Sequence, residues 1–352
     1  MQSKISDLLN VPLPEAAIEP LNFHWLEGTD SELYVLRLDQ VHPFASGNKW
    51  FKLLFNLNVS IEASAKVLTF GGAFSNHIAS FVATAISLNI KPVCVIRGDE
   101  LSPQSNLLLT ELAKQGAEFI FVSREDYKNK YSEALIEYYQ SLVGDFLMIP
   151  EGGANLQGDL GCCLIARYIL DSQIGFSDVF LASGTGATSA GLISGLKYLN
   201  DSKIDPPCVH SVSMFKGEWM RQAILDKCSD LDSYFSDQGD VKMPVSFILE
   251  SMQGQTKYGR LDDTLFEFIN EVYENSGLLL DPVYTAKVIL HIKQQLERGA
   301  LDHRKLLFVH TGGLSGWLGY PERWLNQLGG ERPFQLSGTI KNRLIESGIW
   351  EA

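Results

Sequence analysis

Residues 177–192 read Ser-Asp-Val-Phe-Leu-Ala-Ser-Gly-Thr-Gly-Ala-Thr-Ser-Ala-Gly-Leu. A short apolar run leads into a turn of glycines and hydroxyls, which leads into a helix-forming stretch. Strand, turn and helix in that order make a βα unit. The backbone N–H groups of such a turn and the helix N-terminus behind it form an anion site. Gly184 and Gly186 let the backbone approach a ligand, and Thr185, Thr188 and Ser189 offer hydroxyls; a phosphate is the expected guest. Two common owners fail. A nucleotide P-loop needs Lys and Ser or Thr directly after its last glycine, but Gly191 is followed by Leu192 and Ile193. A dinucleotide fingerprint needs a third glycine where Ser189 stands, and no acidic partner follows at the usual distance. On this segment alone, a glycine-rich turn with no ligand stays open.

Working outward, strand and helix alternate through most of the chain. Strands are expected at Lys66–Phe70, Pro92–Arg97, Glu118–Val122, Phe146–Ile149, Val209–Met214, Val245–Glu250 and Lys305–His310. Helices are expected from about Ser75, from Pro103 to Gln115, over Tyr131–Val143, Asp159–Asp171, Asp262–Asn275 and Pro282–Glu297. Strands separated by helices of that length imply right-handed βαβ units and parallel sheets. In such sheets ligands bind beyond the carboxyl ends of the strands. Glycine turns follow strands after residues 70, 150, 182 and 310, so all four are expected to face one crevice. Ser229–Lys242, rich in Ser and Asp, reads as the least ordered region.

The chain has 352 residues, enough for about two domains. Its hydrophobic fraction of 45% and charged fraction of 20% fit a soluble globular protein. A net charge of −13 gives neither nucleic acid nor an anionic membrane surface a favourable Coulomb term. The five cysteines lack metal spacing and suit a reducing cytoplasm. Adjacent Cys162 and Cys163 read as small core residues rather than a redox pair. No apolar leader or membrane-length run is expected; Ile78–Ile90, interrupted by polar residues, reads as a buried helix.

Four further segments join the opening one: Ser46-Gly-Asn-Lys-Trp-Phe-Lys-Leu53, Gly71-Gly-Ala-Phe-Ser-Asn-His77, Asp281-Pro-Val-Tyr-Thr285 and His310-Thr-Gly-Gly313. In this order, over about residues 33–320, the set resembles the pyridoxal-phosphate (PLP) enzymes of the 1-aminocyclopropane-1-carboxylate deaminase and D-cysteine desulfhydrase family. The resemblance implies a two-domain open parallel-sheet α/β fold of the tryptophan-synthase-β type, with the cofactor in the interdomain cleft. The large PLP-binding domain is expected over 1–50 and 160–352, and the small one over 51–159.

The resemblance also implies roles. Lys49 matches the family's Schiff-base lysine and, once freed by substrate, serves as general base. Lys52 reads as a surface lysine. Ser75 matches the serine on the substrate carboxylate, and Asn76 the asparagine on the cofactor's 3′-oxygen; both sit where a helix would start, and simple capping is the alternative. His77 is divided between substrate binding and packing. Ser183, Gly184, Thr185, Gly186, Ala187 and Thr188 would cradle the phosphate with backbone dipoles and no basic residue. Tyr284 is a candidate proton donor, and Tyr258 matches a second site tyrosine, each weighed against a structural role.

Residue 285 separates the branches. The deaminases carry a glutamate there, which holds the pyridine nitrogen protonated. Thr285 offers only a neutral hydrogen bond and hence a weaker electron sink, adequate where an α-proton and a thiolate leaving group are present. Thr311 stands where the deaminases have leucine. Both choices resemble the D-cysteine desulfhydrase branch, which implies α,β-elimination of a small D-amino acid to pyruvate, ammonia and sulfide. Alternatives are the cyclopropane deaminase, giving 2-oxobutanoate and ammonia, other PLP reactions, and a PLP-binding protein without turnover. A cytoplasmic homodimer acting on a small amino acid is the expected context. Residues 215–257 match no branch closely.

Overall fold

A computed structural model describes residues 4–42, 45, 47–63, 66–200, 205–215, 217–236, 243–251, 259–313 and 317. The strands are β1 (Ile18–Leu21), β2 (Glu32–Leu36), β3 (Lys66–Gly71), β4 (Pro92–Arg97), β5 (Glu118–Val122), β6 (Phe146–Met148), β7 (Asp178–Ser183), β8 (Cys208–Ser213), β9 (Phe247–Ser251) and β10 (Lys305–Val309). The helices are α1 (Lys4–Leu9), α2 (Asn48–Ala63), α3 (Asn76–Ser87), α4 (Leu107–Lys114), α5 (Arg124–Lys128), α6 (Glu133–Val143), α7 (Leu156–Cys163), α8 (Ile165–Ser172), α9 (Ala187–Tyr198), α10 (Trp219–Phe235), α11 (Asp263–Ser276) and α12 (Thr285–Glu297). Among the described residues, one compact unit takes 4–42, 47–52 and 156–313, and a second takes 45, 53–63, 66–155 and 317.

The first unit is built on a six-stranded sheet of order β1-β2-β10-β7-β8-β9. β1 is antiparallel to β2 and every other pairing is parallel. All six residues of β7 are buried, as expected of a parallel strand covered on both faces. From β7 the chain winds outward to β8 and β9, then returns to place β10 on the other flank of β7. This reversal puts a binding crevice at the carboxyl ends of β7 and β10.

α9 lies close against α7. A Cβ on Gly191 would sit 2.4 Å from Cys162 Cβ, and one on Gly195 2.2 Å from the Cys163 carbonyl oxygen. Both cysteines are therefore sealed in a helix contact. Burial pushes the Cys162 thiol up to about 11 and that of Cys163 well above its ordinary value, so neither offers a thiolate.

A buried ionic network runs across β7, β8 and β9. His210 on β8 bonds Asp178 through Nε2 at 2.8 Å and Glu250 through Nδ1 at 3.0 Å. Arg304 reaches the second Asp178 oxygen at 3.1 Å, and His291 of α12 lies 3.5 Å from Glu250. The Phe180 ring stacks on His210 at 4.2 Å.

The second unit has a four-stranded parallel sheet of order β5-β4-β3-β6. Leu68, Phe70, Val93, Val95, Ile120 and Val122 fill its core with Tyr127 and Tyr139. Helix boundaries follow capping chemistry. Asn106, not Pro103, starts α4, its side chain accepting from Leu109 N at 2.9 Å. Asp262 caps α11 and Gly277, in the left-handed region, ends it. The stretch expected as one helix over 159–171 is two, broken at Leu164. Of Ser229–Lys242, Ser229–Phe235 completes α10, while 237–242 lie outside the described residues. No helix among the described residues is long and apolar enough to cross a membrane.

Candidate active site

Lys49 is placed by its two predecessors. Gly47 has φ +68°, and a Cβ there would lie 1.9 Å from the Thr311 carbonyl oxygen, so only glycine fits. The Asn48 N–H donates to that oxygen at 3.2 Å, tying the start of α2 to the loop after β10. The Asn48 side chain donates to Thr188 Oγ1 at 2.8 Å, and Lys49 Nζ donates to Asn48 Oδ1 at 2.9 Å. One asparagine thus connects the lysine to the first turn of α9. Burial, helped by the Lys52 charge and opposed by Cys162 and Asp281, lowers the Lys49 amine to about 7. Near neutrality a large share of it is unprotonated and nucleophilic.

The turn after β7 is built to accept an anion. Gly186, with φ +78°, is the N-cap of α9 and supplies no side-chain acceptor to the helix N–H groups. A Cβ on Gly186 would sit 3.1 Å from Ile224, and one on Gly184 3.4 Å from the Tyr284 ring. Ser183 is buried and turned away, toward Met220 and a hydroxyl chain through Ser189 to Ser211. Thr188 is engaged by Asn48. Ala187 is buried, so its contribution is backbone alone. The partly exposed Thr185 presents its hydroxyl.

Lys52 corrects the sequence reading. It is not at the surface: it is 4% exposed, and its Nζ lies 3.4 Å from Thr185 Oγ1. Lys49 and Lys52 are three residues apart on one helix and so share a face, a spacing that carried the signal. A phosphate here meets a helix N-terminus, a hydroxyl and an ammonium group. We expect Lys52→Met to weaken PLP binding roughly 10–100-fold, the range of a lost charge-assisted hydrogen bond, while Lys52→Arg retains most of it. Absorbance titration of cofactor-free protein measures both; unchanged affinity in Lys52→Met counts against the assignment.

The Asp281–Thr285 turn completes the first unit's contribution. Asp281 is fully buried. Its Oδ1 accepts from Val283 N and Tyr284 N, and its Oδ2 from Thr285 N, each at 2.9 Å. Thr285 Oγ1 donates to Oδ2 at 2.7 Å and accepts from Asp281 N at 2.7 Å. Burial raises the Asp281 carboxyl against these donors and the nearby His310. His310 is fixed by Leu279 O at Nε2 and by Gly312 N–H at Nδ1. Its Nε2 therefore carries the proton and its Nδ1 accepts. Lys49, the 183–188 turn, Tyr284, Thr285 and Thr311 accordingly belong to one unit, at the carboxyl ends of β7 and β10.

Ser75, Asn76 and His77 belong to the second unit. Ser75 caps α3, its Oγ accepting from Ile78 N at 3.4 Å, and Asn76 is the first helical residue. Both are half-buried. His77 is 3% exposed, with Nε2 2.8 Å from Thr69 Oγ1. The Thr69 hydroxyl donates to the Ile149 carbonyl, so it takes the His77 proton as acceptor; the imidazole is packed against β3. Tyr258 lies outside the described residues. Asn48, Lys52 and Asp281 are the site residues that motif reading passed over.

Parallel sheets, a glycine-capped phosphate turn and a lysine amine of lowered basicity in one unit define a PLP-binding α/β protein. Comparison with known proteins agrees: residues 18–312 match the pyridoxal-phosphate dependent enzyme family, and the chain belongs to it. It is 28% identical over 302 residues to a putative 1-aminocyclopropane-1-carboxylate deaminase of Pyrococcus horikoshii, covering 85% of this chain and 89% of the relative. It is 29% identical over 314 residues to the mitochondrial bifunctional D-cysteine desulfhydrase/1-aminocyclopropane-1-carboxylate deaminase of Arabidopsis thaliana, covering 81% and 73%. The solved structure of an ACC deaminase homologue superposes with a TM-score of 0.75 at 26% identity, covering 96% of this chain and all of the other. The fold is that of the tryptophan-synthase-β-like PLP enzymes, as the motifs implied, and the cofactor is pyridoxal 5′-phosphate.

Proposed function

We propose that this enzyme is a D-cysteine desulfhydrase-like lyase, carrying out α,β-elimination on a small D-amino acid to give pyruvate, ammonia and, from D-cysteine, sulfide. The observation that carries the reading is Lys49: an amine lowered to about 7, held by Asn48 beside the phosphate turn. Bound pyridoxal 5′-phosphate supplies an electron sink conjugated to the substrate's α-carbon. Lys49 would hold the cofactor through its aldehyde carbon and, as a free amine, would take the substrate's α-proton. Backbone N–H groups of 184–188, the Thr185 hydroxyl and Lys52 hold the phosphate. Ser75 takes the substrate carboxylate at the N-terminus of α3 and Asn76 the cofactor's 3′-oxygen. Tyr284, its ring against Gly184, donates a proton to the departing β-substituent. The residue types at 285 and 311 support elimination over cyclopropane opening. A cytoplasmic homodimer is part of the same reading.

The test is a side-by-side assay of D-cysteine, L-cysteine and 1-aminocyclopropane-1-carboxylate, with sulfide and 2-oxo acid measured. Sulfide and pyruvate from D-cysteine in preference to the others is the expected result. Turnover of the cyclopropane alone overturns the choice of reaction. Lysine-linked cofactor without turnover of any of them favours a binding protein.

A further inference from the structure

α7 buries a carboxylate close to Lys52. Asp159, in the first turn of α7, is 1% exposed. Its Oδ2 takes the Lys227 ammonium of α10 at 2.9 Å. Its Oδ1 is buried with no hydrogen-bond partner among the described residues. α7 lies directly on α2: a Cβ on Gly161 would sit 1.9 Å from the Phe51 carbonyl oxygen and 3.6 Å from Lys52 N. The Asp159 carbonyl oxygen would sit 2.6 Å from a Cβ on Gly191 of α9. Asp159 thus stands where α2, α7, α9 and α10 meet, and Lys52 leads from that junction to Thr185 Oγ1 at 3.4 Å. Burial disfavours the charged form of Lys52; Cys162 and Asp159 oppose this and Lys227 adds to it. Of the two opposing groups, the Cys162 thiol, pushed by burial up to about 11, carries no charge near neutrality. Asp159 is the anion of the two. Other titratable groups around the pair are Lys49 on α2, Cys163 on α7, and Cys228 and Asp230 on α10. Burial pushes both of those thiols up as well.

We propose that Asp159 is a positioning residue that keeps the Lys52 ammonium charged in the cofactor-free protein, so that a phosphate is received by a cation above neutral pH. This rests on the reading of the site as PLP-binding. A buried lysine without an anion near it releases its proton as pH rises, and a neutral amine offers a phosphate dianion no Coulomb attraction. Binding must then take up a proton, and affinity falls with pH. Asp159 supplies the countercharge from the helix junction. Two ammonium groups, Lys52 and Lys227, around one carboxylate leave a net positive charge for the phosphate.

The experiment is calorimetric titration of the full-length, cofactor-free protein with pyridoxine 5′-phosphate, between about pH 7 and 10. This ligand carries the phosphate but no aldehyde for Lys49. Relative to wild type, Asp159→Asn is expected to lose affinity progressively with pH, reaching roughly tenfold by about pH 9. There it takes up about one more proton per ligand, read from buffers of different ionisation enthalpy. Adding Lys52→Arg to Asp159→Asn is expected to abolish the pH-dependent loss, because a guanidinium keeps its charge. Lys227→Met breaks the same ion pair but leaves the Asp159 charge, and is expected to keep wild-type affinity across the range. A merely structural role gives a loss that is equal at every pH, or one shared by Lys227→Met, or one that Lys52→Arg does not rescue. Any of these three overturns the proposal. Should Asp159→Asn not fold, the double variant Asp159→Asn, Lys227→Met removes both partners of the pair and carries the comparison. Failure of the underlying reading looks different: wild type then binds no pyridoxine 5′-phosphate and gains no borohydride-sensitive band with PLP.

Discussion

Lys49→Ala is expected to remove the borohydride-sensitive visible band of the holoenzyme and to lower kcat/KM for its substrate by about 10⁴-fold, the upper end of what a positioned base contributes. Two functions are lost at once, because one amine both holds the cofactor and moves the α-proton. Lys49→Arg is expected to be equally inactive, since a guanidinium neither condenses with an aldehyde nor gives up its proton near neutrality. Lys52→Met is the internal control. It removes a neighbouring ammonium group but leaves the lysine-linked band intact at saturating cofactor. A pH dependence follows from the amine at about 7. Only its unprotonated form attacks an aldehyde, so incorporation of cofactor into the apoprotein accelerates as pH rises through 7 and levels off above it. Stopped-flow absorbance measures this. A rate that climbs steadily toward pH 10 instead means that the lysine keeps its ordinary basicity.

How much of this site could be read from the residues depended on what each residue type does alone. Gly184 and Gly186 announce themselves, because a turn that brings backbone to a ligand has few other solutions. Gly47 announces itself less, since its need comes from Thr311, distant in sequence, whose carbonyl oxygen occupies the space a Cβ would take. Lys52 was legible through its spacing from Lys49, yet a lysine is most often a surface residue, and burial is a tertiary property. The hydroxyl of Thr285 was visible and its direction was not. A threonine is donor or acceptor according to its neighbours, and the neighbour that decides, Asp281, reads in sequence as a turn residue before proline. In the fold, the alternation of strands and helices gave the parallel sheets. The β1-β2 pair escaped because short strands with mixed burial carry little periodicity.

His210→Leu is expected to destabilise the cofactor-free protein by about 3–5 kcal/mol, the cost of removing one partner from a buried ionic pair. The network along β7, β8 and β9 sets His210, Arg304 and His291 against Asp178 and Glu250. Without the His210 imidazole, Glu250 keeps His291 at 3.5 Å but loses its 3.0 Å partner, and the charge on Asp178 is left to the half-exposed Arg304. The same pairing gives stability a defined pH profile. Burial disfavours the charged imidazole, but hydrogen bonds to Asp178, Cys208 and Glu250 outweigh it and raise His210 from 6.5 to about 11. Hydrogen bonds from His210 and His291 lower Glu250 from 4.5 to about 2. A raised histidine contributes fully below its unfolded value and loses that contribution as pH climbs from 6.5 toward 11. A lowered carboxyl contributes fully above its unfolded value and loses it as pH falls from 4.5 toward 2. Both act together between about pH 4.5 and 6.5, where this network holds the sheet most firmly. Urea midpoints across pH should therefore decline above 6.5 in wild type, and that share of the decline should vanish in His210→Leu. Parallel profiles for the two proteins would mean that the imidazole is neutral and packed. The cluster would then be a set of ordinary hydrogen bonds under Phe180, not a charged clamp across the sheet.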